Sequence, residues 1–343
     1  MSGVGVSMHS LGDLGSAGIS TSFRIRVCEV ALGTAAPVVR NALRAFPEDD
    51  FTNPEYYPPK EADAESVLRY FIFMVAVDHR TSRMRPFEAR VGSRLYHGAD
   101  LLYRLGSKKF SEDPEFFSPQ RMARVSVDDV LDWLSVKGGD EVVGLWDPEV
   151  RADLLADLGS GLVRWFGGSV SGMVKASGGY LRRGCGHGLI YIMRRFKAYS
   201  DPVEKKVHLF VKFVERRGLL GIVDPWNKEV PVDNHLTRIA LRLGLVLPEE
   251  SMLVKIRSRA PFTWSEDVAL RLAVRTAYKN LSRVAGVDPL RLDDFLWYFG
   301  RKVCTREAPA CLMNATCPLA DVCPSRGVQE ALTEHYYLDT YYY

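Results

Sequence analysis

Residues 230–244 read VPVDNHLTRIALRLG, and this stretch decides the fold class. Leu236, Ile239, Ala240 and Leu243 recur at the spacing that places side chains on one face of an α-helix. Asp233 stands just ahead of the first apolar position, where a short acidic side chain accepts hydrogen bonds from free backbone N–H groups and favours the positive end of the helix dipole. The same period recurs outward along the chain. It predicts helices over 23–46, 62–77, 127–134, 203–217, 234–245, 265–284 and 289–303. Ser126 caps the third of these, with Asp128 and Asp129 in its first turn. Another helix starts at Asp147-Pro148, runs to Phe166 and is stopped by Gly167-Gly168. Two-residue alternation is scarce, so the expected fold class is all-α.

The chain has 343 residues, 47% of them apolar and 25% charged, close to the globular average. Disordered, collagenous and disulfide-dense classes are excluded by that balance. The longest apolar run, Tyr70 to Val77, is far shorter than the roughly 20 residues that cross a bilayer, so no membrane association is expected. The Gly- and Ser-rich start lacks a basic and apolar signal and reads as a flexible leader over 1–21. A cytoplasmic monomer is the expectation.

The formal charge of +3 hides an asymmetry. Residues 181–306 hold 24 Lys or Arg against 13 Asp or Glu, a net +11, which leaves −8 for the rest. Within that segment Arg182, Arg183, Arg194, Arg195, Lys197, Lys205, Lys206, Lys212, Arg216 and Arg217 outnumber Asp201, Glu204 and Glu215. Such a basic block attracts phosphates through counterion release. Several solvated helix faces pointing in different directions would give the same composition.

Four of the six cysteines, Cys304, Cys311, Cys317 and Cys323, fall within twenty residues. In an intracellular chain this clustering favours a metal site over disulfides. Four thiolates suit structural zinc or a [4Fe-4S] cluster. The absence of short Cys-x2-Cys knuckles leans towards iron and sulfur.

The stretch FLWYFGRKVCTREAPACLMNATCPLADVC resembles the C-terminal iron–sulfur loop of the endonuclease III and MutY branch of the helix-hairpin-helix DNA glycosylases. That family spaces its cysteines by six, two and five residues; here the first and last intervals match, and the middle one carries three more residues around Leu312 to Thr316. The resemblance implies that Cys304, Cys311, Cys317 and Cys323 hold a [4Fe-4S] cluster. It also implies two helical subdomains with a substrate cleft between them. PVDNHLTRIALRLG is similar to the superfamily's signature around its essential aspartate, a role that would fall to Asp233. Taken on its own residues, Asp233 reads first as a plain helix cap, since Asp is a favoured cap and most such residues do nothing else.

EKKVHLFVKFV, with the Asp233 helix and GVDPLRLDDFLWYFGRKV, looks similar to the archaeal 8-oxoguanine DNA glycosylases, and in that alignment Lys206 is the catalytic lysine. Scattered matches from about 65 to 246, among them Tyr96-His97-Gly98, VSVDDVLDWL and RWFGGS, resemble the queuosine nucleotide glycosylases, where Lys205 fits better. The glycine-rich hairpin that usually precedes such a lysine is missing, replaced by Asp201-Pro202-Val203-Glu204. Two exposed lysines balancing Glu204 would be the plain structural reading. Together these resemblances imply cleavage of a bond between a nucleobase and a sugar, in DNA repair or on a free modified nucleotide. Arg194, Arg195, Lys197, His235 and Trp226 are the expected substrate contacts. Trp264, Trp297, Phe196 and Tyr199 are further aromatics that stack on a flipped base or fill the core. The expected layout is an N-terminal helical region over 22–145, a glycosylase-like core over 146–303, the cysteine loop over 304–323 and a tail over 324–343. A non-catalytic iron–sulfur protein that binds nucleic acid is the alternative of a different class, and a zinc-stapled interaction protein is a third.

Overall fold

A computed structural model of the chain describes residues 23–81, 86–138, 141–313, 315–328 and 332–343. The leader expected over 1–21 lies outside them. The fold is mostly helical and divides into two compact units, Asp49–Lys228 with Thr340–Tyr343, and Met1–Glu48 with Glu229–Asp339. This division cuts the chain differently from the contiguous segments drawn on sequence, because the first helix packs with the C-terminal ones.

The chain enters through strand β1 (Ile25–Val27) and helix α1 (Glu29–Ala45). The helix expected from Phe23 therefore begins only at Glu29.

The unit from Asp49 to Lys228 is built on α2 (Ala64–Ala76), whose residues from Tyr70 to Ala76 are all buried. A helix apolar all round belongs inside a core, and the Asp63 carboxylate fixes its start by accepting from the Ser66 N–H at 3.0 Å. Around it lie strands β2 (Glu88–Val91) and β3 (Arg94–His97), helices α3 (Ala99–Glu112), α4 (Pro119–Met122) and α5 (Val127–Trp133), and strands β4 (Ser135–Gly138) and β5 (Glu141–Gly144). Both strand pairs are antiparallel, with Ala89 opposite Tyr96 and Val136 opposite Val143. Ser126 and Asp129 form the reciprocal cap of α5. Helix α6 (Pro148–Phe166) ends at Gly167, whose φ of 62° is open to glycine at little cost. Gly159 lets α6 approach α4 closely: a Cβ there would lie 2.4 Å from the Ala123 nitrogen. Helices α7 (Val170–Ala176), α8 (Leu189–Met193) and α9 (Lys205–Arg216) complete the unit.

The other unit joins β1 and α1 to α10 (Asn234–Arg242), strand β6 (Val246–Pro248), α11 (Glu250–Ser258), α12 (Trp264–Ala285) and α13 (Pro289–Lys302). Strand β1 pairs antiparallel with β6, Arg26 opposite Leu247, which ties the start of the chain to this unit. Helix α12 is capped by Thr263 and Glu266 at one end and by Gly286 at the other. Beyond α13 the cysteine segment runs through short 3-10 turns at Ala310–Leu312 and Ala320–Val322.

Candidate functional site

Helix α10 links two features of the second unit. At its start, the Asp233 Oδ1 accepts from the Leu236 N–H at 2.9 Å, the cap that the sequence pattern predicts. Oδ2 lies 3.4 Å from the His235 ring Nδ1. Asp233 is 16% exposed at its side chain and His235 is 42% exposed, so both reach solvent. The preceding carbonyl, of Val232, accepts from the fully buried Arg271 of α12, and Tyr278 Oη donates to the Leu236 carbonyl at 2.7 Å. These bonds fix the first turn of α10 from behind.

At the other end of α10, Ile239, Arg242 and Leu243 wall a cavity lined also by Cys304, Cys311, Cys317 and Cys323. Among the described residues no three thiol, imidazole or carboxylate groups are drawn together tightly enough to grip one ion; the four thiols instead stand around a shared space. Arg242, 3% exposed, donates from Nη1 to the Cys304 Sγ at 3.3 Å and to the Thr305 carbonyl at 2.7 Å, and from Nη2 to the Arg306 carbonyl at 2.9 Å. Cys323 Sγ in turn donates to the Arg242 carbonyl at 3.4 Å. One turn earlier Arg238 bonds the carbonyls of Cys304 and Gly300. Burial, reinforced by the neighbouring thiols, pushes the Cys317 thiol up and the Cys323 thiol to about 11.

In donor chemistry these residues match what a [4Fe-4S] cluster takes: four thiols, an apolar wall from Phe299, Val303 and Leu319, and a buried guanidinium beside one sulfur that would offset negative charge. Such a cluster would act as a staple between the cysteine segment and α10.

The lysine pair sits in the first unit, at the start of α9. Glu204 takes a left-handed φ of 63° and Asp201 caps the turn, its Oδ1 accepting from the Val203 N–H at 3.0 Å and its Oδ2 from the Lys205 N–H at 3.1 Å. Neither lysine is an exposed partner of Glu204, whose carboxylate instead faces Arg182 and Arg194. Lys205 is 8% exposed; its Nζ lies 3.3 Å from the Asp78 carbonyl and 3.8 Å from Asp78 Oδ2. Lys206 is wholly buried, donating to the Ala76 carbonyl at 2.6 Å, with its Nζ 3.3 Å from His79 Nδ1.

Four residues around these lysines are not among the site residues expected from sequence, where Asp147 reads only as a helix start. Asp78 and His79 follow the C-terminal end of α2; Asp147 and Arg151 begin α6. His79 Nε2 meets Asp147 Oδ2 at 3.3 Å, and Arg151 bonds Asp147 Oδ1 at 3.0 Å and the His79 carbonyl at 2.7 Å. Arg151 also donates to the Val77 carbonyl. The carbonyls of Ala76 and Val77 at the end of α2 are thus satisfied by two buried nitrogen donors, the Lys206 amine and the Arg151 guanidinium. Burial, with Lys205 alongside, holds the Lys206 amine well below its usual value. Burial, with Arg151 and Lys206 adding to it, does the same to His79, while it raises the Asp147 carboxyl to about 6 against the pull of Arg151. The signal available in sequence was the polar triplet Asp78-His79-Arg80 directly behind a wholly apolar helix.

The remaining expected contacts are dispersed. Arg194 pairs with Glu204 at 3.8 Å, Arg195 stacks on Trp165, and Lys197 is bound to Asp153 at 2.9 Å. Trp226, on the short 3-10 turn Pro225–Asn227, is 68% exposed. Phe196 and Tyr199 are core residues, the latter donating to the Ile72 carbonyl at 2.6 Å. Trp264 and Trp297 are partly exposed.

No protein-family profile matches the chain, and no curated protein matches it.

Proposed function

We propose that the protein is an N-glycosylase that cleaves the bond between a nucleobase and its sugar, with damaged DNA as substrate. One observation carries the reading: a single helix, α10, presents Asp233 at its first turn and walls the four-cysteine cavity with its last. An aspartate that serves only as a cap needs no such brace. Loss of the base builds positive charge on the sugar, and a carboxylate held near the ring stabilises it. Water then adds to the anomeric carbon, while the base departs with the electrons of the broken bond. Two features support that role for Asp233: Oδ1 is anchored by the Leu236 N–H, and the side chain still reaches solvent. The cysteines would hold an iron–sulfur cluster whose contribution is rigidity, with no part in bond cleavage.

Of the two lysines, Lys205 keeps some exposure and is the one we assign to substrate. Lys206 belongs to the buried network and positions the start of α9. That assignment also favours a second reading, a free queuosine-type nucleotide as substrate, since the corresponding resemblance places its lysine at Lys205.

The test is base release from a panel of oxidised, deaminated and alkylated duplexes and from queuosine nucleotides. Release from a duplex that disappears in Asp233→Asn supports the DNA reading. Release from the nucleotide alone moves the assignment to salvage. Salt-dependent DNA binding with no release from any substrate would leave a non-catalytic iron–sulfur binding protein.

A further inference from the structure

From Leu158 to Ser200 the chain has no Asp or Glu, against seven Lys or Arg: Arg164, Lys175, Arg182, Arg183, Arg194, Arg195 and Lys197. Three of these are paired with acids from outside the stretch, Arg182 and Arg194 sharing the single Glu204 carboxylate and Lys197 meeting Asp153. The other four, Arg164, Lys175, Arg183 and Arg195, are exposed and have no ion-pair partner among the described residues. Arg164 ends α6, Lys175 ends α7, and Arg183 and Arg195 flank α8; α7 packs against both α6 and α8, so the four charges lie on neighbouring elements.

Two of the four are held by aromatic rings. The Arg195 guanidinium lies 4.1 Å from the centre of the Trp165 ring, which itself rests against Phe196, and Arg183 lies 5.2 Å from the Tyr180 ring. Such contacts fix a long cationic side chain without neutralising it. Unneutralised like charges on adjacent elements repel one another, and a polyanion relieves that repulsion.

We propose that the surface of the first unit carrying these four unpaired cations docks the phosphodiester backbone of DNA. The partner's identity rests on the glycosylase reading; the docking itself rests on the charges. A free nucleotide would engage one of the four cations, whereas they span three helices. An anionic membrane is disfavoured because the stretch exposes only Val163 and Trp165 as large apolar side chains, too few to insert.

The experiment uses the full chain and a fluorescein-labelled, undamaged duplex of about two helical turns, so that no base release is needed. Anisotropy is followed between about 50 and 200 mM salt. The proposal expects the quadruple variant Arg164→Gln, Lys175→Gln, Arg183→Gln, Arg195→Gln to bind at least about tenfold more weakly and to flatten the log–log salt slope by roughly three to four units. Its circular-dichroism melt should match the parent's, since all four residues are exposed. Unchanged affinity and slope would overturn the proposal, as would binding of matched RNA or of phosphatidylserine vesicles in place of the duplex. Duplex binding without base release from any substrate would sink the glycosylase reading and leave this surface standing; base release from a nucleotide without duplex binding would do the reverse.

Discussion

The Arg242 guanidinium lies 3.3 Å from the Cys304 sulfur at one end of the helix whose other end is capped by Asp233. A cation that is 3% exposed and bonded to three further carbonyls, of Thr305, Arg306 and Leu332, is held in place whatever the cysteines carry. We expect the purified protein to be brown, with iron and acid-labile sulfide in equal amounts. Cys304→Ser should lose that colour and melt at lower temperature, because the cysteine segment is no longer stapled to α10. Arg242→Gln should keep the iron but shift the cluster's reduction potential, since hydrogen bonds and charge near the sulfurs tune it. Metal analysis and voltammetry read both outcomes, and a colourless protein loaded with zinc would exclude the iron assignment.

Asp233 has two separable roles, and two substitutions divide them. Asn keeps a side-chain oxygen for the Leu236 N–H, so Asp233→Asn should melt close to the parent. Asp233→Ala loses the cap and should cost about 1 kcal/mol. Both variants should be inactive in base release if the carboxylate stabilises the transition state. Full activity in Asp233→Asn would reduce Asp233 to a cap.

How much of this was legible differs between the two lysines and the aspartate. The pattern over 230–244 gives α10 and its cap because an amphipathic helix writes its geometry into a local period. Close spacing along the chain likewise marks the four cysteines. For Lys205 and Lys206 the resemblance implies a catalytic lysine while the local residues alone suggest exposed charges; their burial, which neither reading contains, comes from the end of α2, with Ala76 lying 130 residues before Lys206. The strands were missed for another reason. Each of the six among the described residues is only three or four residues long, too short to set an alternating pattern against a helical one, and β1 falls inside the helix read from Phe23. The joining of α1 to the C-terminal helices depends on the β1–β6 pairing, a contact no local signal contains.

Borohydride trapping on DNA with an abasic site should separate the lysines. A trapped adduct that vanishes in Lys205→Gln and persists in Lys206→Met agrees with their exposure, 8% against none. The opposite pattern would mean that the packing around the end of α2 opens to bring the Lys206 amine to substrate. That amine is already depressed by burial, as Schiff-base chemistry requires.

The buried network makes a prediction about pH. Lys206 is held below its unfolded value, so the unfolded chain binds more protons between the native value and about 10.4. Stability from this group therefore rises with pH across that window and is lost as pH falls. His79, also depressed, acts in the same direction below about 6.5. Asp147 acts oppositely: raised to about 6, it retains a proton that the unfolded chain has already released, so its contribution falls as pH rises from about 3.9 towards 6. Urea unfolding of the parent and of Lys206→Met across pH should give a difference that grows with alkalinity and levels off near the free lysine value. The same comparison with Asp147→Asn should change only on the acid side. A parent–Lys206→Met difference independent of pH would show that the amine stays charged in the folded protein, paired more strongly with the Ala76 carbonyl and its surroundings than its burial implies.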